Sequence, residues 1–149
     1  KYARFSLFDD YTDGDDDLDL YVFLDPNLTL NSLLGSSGSG GSDEEVNVPV
    51  GGTGLASNTT VHVVVHGWQT DGPDANYTLF HWAIPANPAS DDGSLSVDSA
   101  PASAVLGATG TIGISWSGLA TGTKYLGAVS HFNGSSIMGL TIVSVDTDQ

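Results

Sequence analysis

Seven carboxylates stand in the eleven positions from Asp9 to Asp19, where the chain reads Asp9-Asp10-Tyr11-Thr12-Asp13-Gly14-Asp15-Asp16-Asp17-Leu18-Asp19. Carboxylates this crowded repel one another when a loop is ordered. A hard cation relieves that repulsion, and calcium takes six to eight oxygen ligands from carboxylates and backbone carbonyls. The spacing is not that of an EF-hand: counted from Asp9, the third position is Tyr11, and Leu20 falls where the bidentate glutamate belongs. The expected calcium ligands are Asp9, Asp13, Asp17, Asp71 and Asp74. Asp19 lies within a strand pattern and serves either as a ligand or as an acceptor for neighbouring backbone. The competing reading is a solvated acidic loop that aids solubility.

Asp71 and Asp74 enter through a repeat. Thr12-Asp13-Gly14-Asp15-Asp16 and Thr70-Asp71-Gly72-Pro73-Asp74 share the pattern T-D-G-x-D, and each follows a strand pattern. The two loops are expected to meet at one end of a sandwich, with chance similarity as the alternative.

The remaining chemistry is sparse. His62 and His66 share a strand face with Val64, but their Cβ atoms lie about 13 Å apart at normal strand rise, too far to chelate one ion. They read as surface or core-rim imidazoles, as do His81 and His131. Gly113-Ile114-Ser115-Trp116-Ser117 lacks the final glycine of a nucleophile elbow and reads as a strand. The carboxylates lie in open loops, without the apolar cleft that raises one pKa for glycoside cleavage. No catalytic residues are assigned, and the chain is expected to be non-catalytic. Trp68, Trp82, Trp116, Tyr77, Tyr125 and Phe132 are expected mainly in the core. Trp68 is the exception, because Gly67-Trp68-Gln69 opens a loop, and it is the candidate substrate-binding residue. Asn27, Asn58, Asn76 and Asn133 head N-x-S/T sequons.

The elements that position these residues read as β throughout. Lys1–Phe8 and Leu18–Leu24 alternate apolar and polar, with Leu18, Leu20 and Val22 on one face. Leu28–Leu34 is a short strand, residues 35–42 are a flexible Gly/Ser loop by composition, and Val46 and Val48 mark a brief strand. Gly51 to Asn58 is a loop. Residues 60–66 are the strongest strand signal, and residues 77–84 form an aromatic-rich strand. Further strands are expected at Ser94–Asp98, Ala104–Leu106, Thr111–Trp116, Lys124–Phe132 and Leu140–Val145, with a turn at Asn133-Gly134. About ten short strands with glycine punctuation imply an all-β, antiparallel jelly roll or β-sandwich, with room for a second small β unit. The domains are residues 1–84, a linker and first tail strand at 85–98, and a C-terminal β unit at 99–149, either separate or packed with the first.

Composition narrows the partners. The chain of 149 residues carries 18 acidic and three basic side chains, a net charge of −15. Such a surface repels nucleic-acid phosphates and anionic membranes. There is no cysteine, which excludes disulfides and thiolate chemistry. No apolar run approaches the roughly 20 residues of a membrane helix. The opening Lys1-Tyr2-Ala3-Arg4-Phe5 is already strand-like and lacks an initiator Met, so a piece of a longer polypeptide is expected.

Three stretches carry a family resemblance: Arg4-Phe5-Ser6-Leu7 with the acidic loop, Asp17-Leu18-Asp19-Leu20-Tyr21-Val22, and Val63-Val64-Val65-His66-Gly67-Trp68 running on to Asn76-Tyr77-Thr78-Leu79. Together they resemble the pre-peptidase C-terminal domain of secreted bacterial proteases, in the variant that follows subtilisin-like serine peptidases. The resemblance covers about residues 1–84; Trp116–Leu119, Thr123–Gly127 and Leu140–Val145 resemble the β segment that ends such proteases. It implies a secreted, non-catalytic accessory domain that supports folding or secretion or binds substrate, in some relatives with calcium. Its partners are the upstream protease domain and protein substrate. A free-standing protein- or polysaccharide-binding module is the alternative.

Overall fold

The computed structural model describes residues 2–48, 55–85 and 93–148. These form two compact units, Lys1–Ala86 and Asn87–Gln149. All regular sheet structure is antiparallel, and no α-helix occurs among the described residues.

The first unit is built from β1 (Tyr2–Leu7), β2 (Asp17–Phe23), β3 (Leu33–Ser37), β4 (Glu44–Val48), β5 (His62–Gln69) and β6 (Phe80–Ile84). They make two three-stranded sheets, ordered β4-β1-β6 and β3-β2-β5. Successive strand residues face opposite sides of a sheet. That rule gathers Ala3, Phe5 and Leu7 of β1, Leu18, Leu20 and Val22 of β2, and Val46 and Val48 of β4 into one buried cluster. Val63 and Val65 of β5 pack against it. The two sheets therefore share one core, which is the expected sandwich. The core is aliphatic. None of the six candidate aromatics belongs to it: Trp68, Trp116, Tyr77 and Phe132 are exposed, and Trp82 and Tyr125 are half-buried. A period-2 pattern shows which residues share a face but not whether a second sheet covers that face.

The same alternation sends Asp17, Asp19 and Tyr21 to the outer face of β2, opposite Gln69, His66 and Val64 of β5. The register slips between Asp17 and Leu18, so that Trp68 is the additional residue of a bulge. Bulges re-aim side chains. Trp68 thus belongs to the end of a strand, and the loop begins one residue after Gln69, later than its glycine suggests.

The second unit contains β7 (Leu95–Ser99) paired with β8 (Gly113–Trp116), and β9 (Lys124–Asn133) paired with β10 (Ser136–Asp146). The expected turn at Asn133-Gly134 closes the longer hairpin, whose loop is Gly134-Ser135. Lys124 reaches across that hairpin to Asp146 at 2.7 Å and Asp148 at 3.2 Å. The expected strand at Ala104–Leu106 is absent; Leu106 is fully exposed there and has no face to bury. In the first unit the expected strand at Leu28–Leu34 is instead a 3-10 turn at Leu30–Ser32 followed by β3, which runs on into the Gly/Ser stretch. Residues 51–54 of the expected loop and 86–92 of the expected linker lie outside the described residues.

Candidate functional site

The two T-D-G-x-D loops do meet. Asp13 accepts hydrogen bonds from the Asn76 backbone amide at 2.5 Å and from Asn76 Nδ2 at 2.7 Å, while its own amide donates to the Asn76 carbonyl. The Asn76 side chain holds the Asp13 carboxyl below its ordinary value. The Asp71 amide donates to Asp16 Oδ1 at 2.9 Å, and the Asp15 amide donates to Asp71 Oδ2 at 3.1 Å. Gly14 makes this approach possible. Its φ is +67°, and a Cβ there would stand 2.5 Å from Asp71 Oδ2. The Asn76 sequon amide is thereby tied into the loop contact.

A third segment joins them. The Ser42 amide donates to Asp9 Oδ1 at 2.6 Å, the Ser42 hydroxyl donates to the Asp16 carbonyl at 2.7 Å, and the Asp9 amide donates to Asp43 Oδ1. These carboxylates act as acceptors for backbone amides that the sheet ladders leave over. Amide dipoles take up part of the repulsion that a cation was expected to relieve.

The six expected metal ligands therefore divide. Asp9 binds the Ser42 segment, Asp13 binds Asn76, and Asp71 binds the first loop, with Asp74 on the same second loop. Asp17 and Asp19 lie on the outer face of β2. No group of three or more His, Asp or Glu side chains is gathered as a metal cage among the described residues. Two carboxylate oxygens, Oδ2 of Asp16 and Oδ1 of Asp17, are buried without a hydrogen-bond partner. Asp16 is only 5% exposed.

On the outer face of the β3-β2-β5 sheet lies an open cleft of about 400 Å³, lined by Asp17, Asp19, Tyr21, Trp68, the end of β3 at Ser36-Ser37 and the turn that follows at Gly38-Ser39. Asp19 is 7% exposed. Its Oδ2 accepts from the Tyr21 hydroxyl at 3.2 Å and lies 3.5 Å from His66 Nδ1. The Asp19 carboxylate raises the Tyr21 phenol above its ordinary value. Trp68 is 70% exposed and meets His66 edge-on, with ring centroids 6.2 Å apart. A Cβ on Gly38 would stand 2.7 Å from Asp19 Oδ1, so glycine lets the β3–β4 turn close over this carboxylate without displacing it.

That turn is held from below by Glu44, which is 2% exposed. Glu44 Oε1 accepts from the Ser39 amide at 2.6 Å and the Ser39 hydroxyl at 2.7 Å, and Oε2 accepts from the Ser37 hydroxyl. The Gly/Ser stretch, expected to be flexible, is anchored by a buried carboxylate at one end and by Ser42 at the other. Glu44, Ser42 and Asp16 were not among the candidate residues. Glu44 had a signal: it shares the period-2 face of Val46 and Val48, and an acid on a core face requires donors. Asp16 closes the first T-D-G-x-D repeat, which was expected to meet the Asp71 loop, while Ser42 had no signal, because its partners lie on separate loops.

Comparison with known protein families, with curated proteins and with solved structures gave no match for this chain.

Proposed function

We propose that the chain is a non-catalytic accessory module of an exported, subtilisin-like serine protease, and that its first unit holds protein substrate or partner on the outer face of the β3-β2-β5 sheet. The supporting observation is Trp68, a large apolar ring 70% exposed at a bulge, beside a concave and carboxylate-lined wall. A partner that covers this ring removes its apolar area from water, and tryptophan is enriched among residues that dominate binding. The sequence resemblance supplies the protease context. A free-standing binding module would use the same face.

The test is retention of the chain on insoluble protein, compared with Trp68→Ala. The variant should lose retention while keeping its melting temperature, because an exposed ring contributes little to the core. Equal retention of both proteins would remove this face from the reading.

Calcium enters the same proposal as a stabiliser of the joined loops. Its support is narrower than carboxylate density: the buried, donorless Oδ2 of Asp16 is a place where a cation would offset an uncompensated charge. A ligand that binds only the folded state raises its stability by mass action. EDTA should therefore lower the melting temperature and calcium restore it, and Asp16→Asn should abolish the response. An identical melting curve in EDTA and in calcium would end the metal part of the proposal.

A further inference from the structure

The cleft beside Trp68 has a chemical character that narrows its ligand, and this inference rests on the binding role proposed above. Its wall sets carboxylate acceptors against few side-chain donors, of which the Ser36 hydroxyl and the Trp68 indole N–H remain. The Tyr21 hydroxyl donates to Asp19, and the hydroxyls of Ser37 and Ser39 donate to Glu44. Asp17 and Asp19 contribute two carboxylates to the lining. The protein places no lysine or arginine against them among the described residues. Arg4 is engaged with Glu45 at 3.0 Å, and Lys124 with Asp146 and Asp148. His66, at 3.5 Å from Asp19, is the one basic ring close by, and its side chain is half exposed.

We infer that this cleft receives a basic side chain, arginine in preference to lysine, presented by another polypeptide. A guanidinium has five donors and no acceptor, which complements a wall of carboxylate oxygens. Its planar face stacks on tryptophan, and its fork binds carboxylates in pairs of hydrogen bonds. A sugar brings acceptors and donors in similar number and would leave its acceptors facing carboxylates. The cleft is of a size for one side chain and its neighbours, at the lower end of the roughly 300–1,000 Å³ of small-ligand pockets. The net charge of −15 draws basic partners toward this face at low salt.

The cleft is also built to stay open. The bulge turns Trp68 outward, Gly38 lets the turn approach Asp19, and Glu44 fixes the serines from beneath. These contacts exist before any ligand arrives, so little ordering is needed on binding.

Calorimetric titration of the full chain with acetyl-Gly-Arg-Gly-amide tests the inference, beside its lysine and citrulline analogues, a soluble oligosaccharide and calcium. Citrulline keeps the shape of arginine and lacks the charge. The arginine peptide should bind, the lysine peptide more weakly, and the citrulline peptide at least about tenfold more weakly than arginine. Added salt should weaken the arginine complex. Trp68→Ala and Asp17→Asn should each weaken it about tenfold. Trp68→Ala serves as the variant whose fold is secure, since its ring lies outside the core.

Equal binding of arginine and citrulline peptides would overturn the inference. So would oligosaccharide binding that depends on Trp68 without any peptide binding; that result leaves a binding face in place and changes its ligand class. Calcium binding that Asp17→Asn abolishes, with no peptide binding, would overturn it in favour of a metal. If no probe binds and Trp68→Ala leaves retention on insoluble protein unchanged, the binding role itself fails with it.

Discussion

The two units of this chain solve the same problem, burying apolar faces of short antiparallel strands, to very different degrees. In the first unit Leu7, Leu20 and Val22 are completely buried between two sheets. In the second unit Val129 is the one hydrophobic side chain fully inside among the described residues, while Val97, Trp116, Ile137 and Met138 face solvent. The difference does not come from strand length, since β9 and β10 are the longest strands, with 10 and 11 residues. It comes from layering. A two-stranded ribbon covers less apolar face than a pair of three-stranded sheets and is marginal in water by itself; here Leu95 of β7 lies over Gly127 of β9, but few side chains are enclosed. The second unit relies instead on hairpin hydrogen bonds and on Lys124 bridging Asp146 and Asp148.

The sharpest way to break this contrast is to separate the units. A chain ending at Ala86 should melt cooperatively, with amide protection in β1 and β2, whereas residues 87–149 alone should show no cooperative transition. Cooperative melting of the second piece would show that hairpin pairing suffices without a shared core.

Next in size is the core itself. Leu20→Ala removes a completely buried side chain from between two sheets and should cost about 2–5 kcal/mol by denaturant unfolding. A loss below about 1 kcal/mol would mean that the sandwich collapses around the gap, contrary to a close-packed interior.

A polar counterpart follows. Glu44→Ala deprives the hydroxyls of Ser37 and Ser39 and the Ser39 amide of a charged acceptor. It should destabilise the first unit by about 2–3 kcal/mol and loosen the turn that walls the cleft, read as faster amide exchange at Ser39. Unchanged exchange there would separate the turn from its anchor.

The smallest effect distinguishes the two kinds of charged contact by pH. The Asp13 carboxyl is held below its ordinary value by Asn76, so this contact stabilises the fold above that value and is lost as pH falls below 3.8. The melting temperature should drop on acidification through that range, and Asn76→Ala should flatten the drop. Lys124 carries the opposite sign. Asp146 raises its pKa above 10.5 and Lys124 in turn lowers that of Asp146, so the bridge in the second unit persists at neutral pH, weakening at the alkaline end as Lys124 loses its proton and at the acid end as Asp146 gains one. An acid transition that Asn76→Ala leaves unaltered would assign the loss to other carboxylates.

The fold class was legible because period-2 patterning is local. Asp17-Leu18-Asp19-Leu20-Tyr21-Val22 separates an inner from an outer face whatever surrounds it. The meeting of the Asp13 and Asp71 loops was legible as well, through their shared T-D-G-x-D pattern. The site was legible only in parts. Trp68 was visible as an unusual residue, and Asp17 and Asp19 as carboxylates. They were assigned to different tasks because carboxylate density says nothing about which oxygens already have donors. Asp9, Asp13 and Asp71 turned out to accept backbone amides from other loops.

What the sequence determined by itself was the list of faces: which residues of each strand share a side, the turn at Asn133-Gly134, and that the chain is overwhelmingly negative. Only the tertiary structure decided which faces acquire a cover and which side chains stand together across distant loops. The physical reason is that alternation is set by the backbone of one strand, whereas burial and hydrogen-bond satisfaction depend on partners tens of residues away, as Ser42 on Asp16 and Trp68 beside Asp19 show.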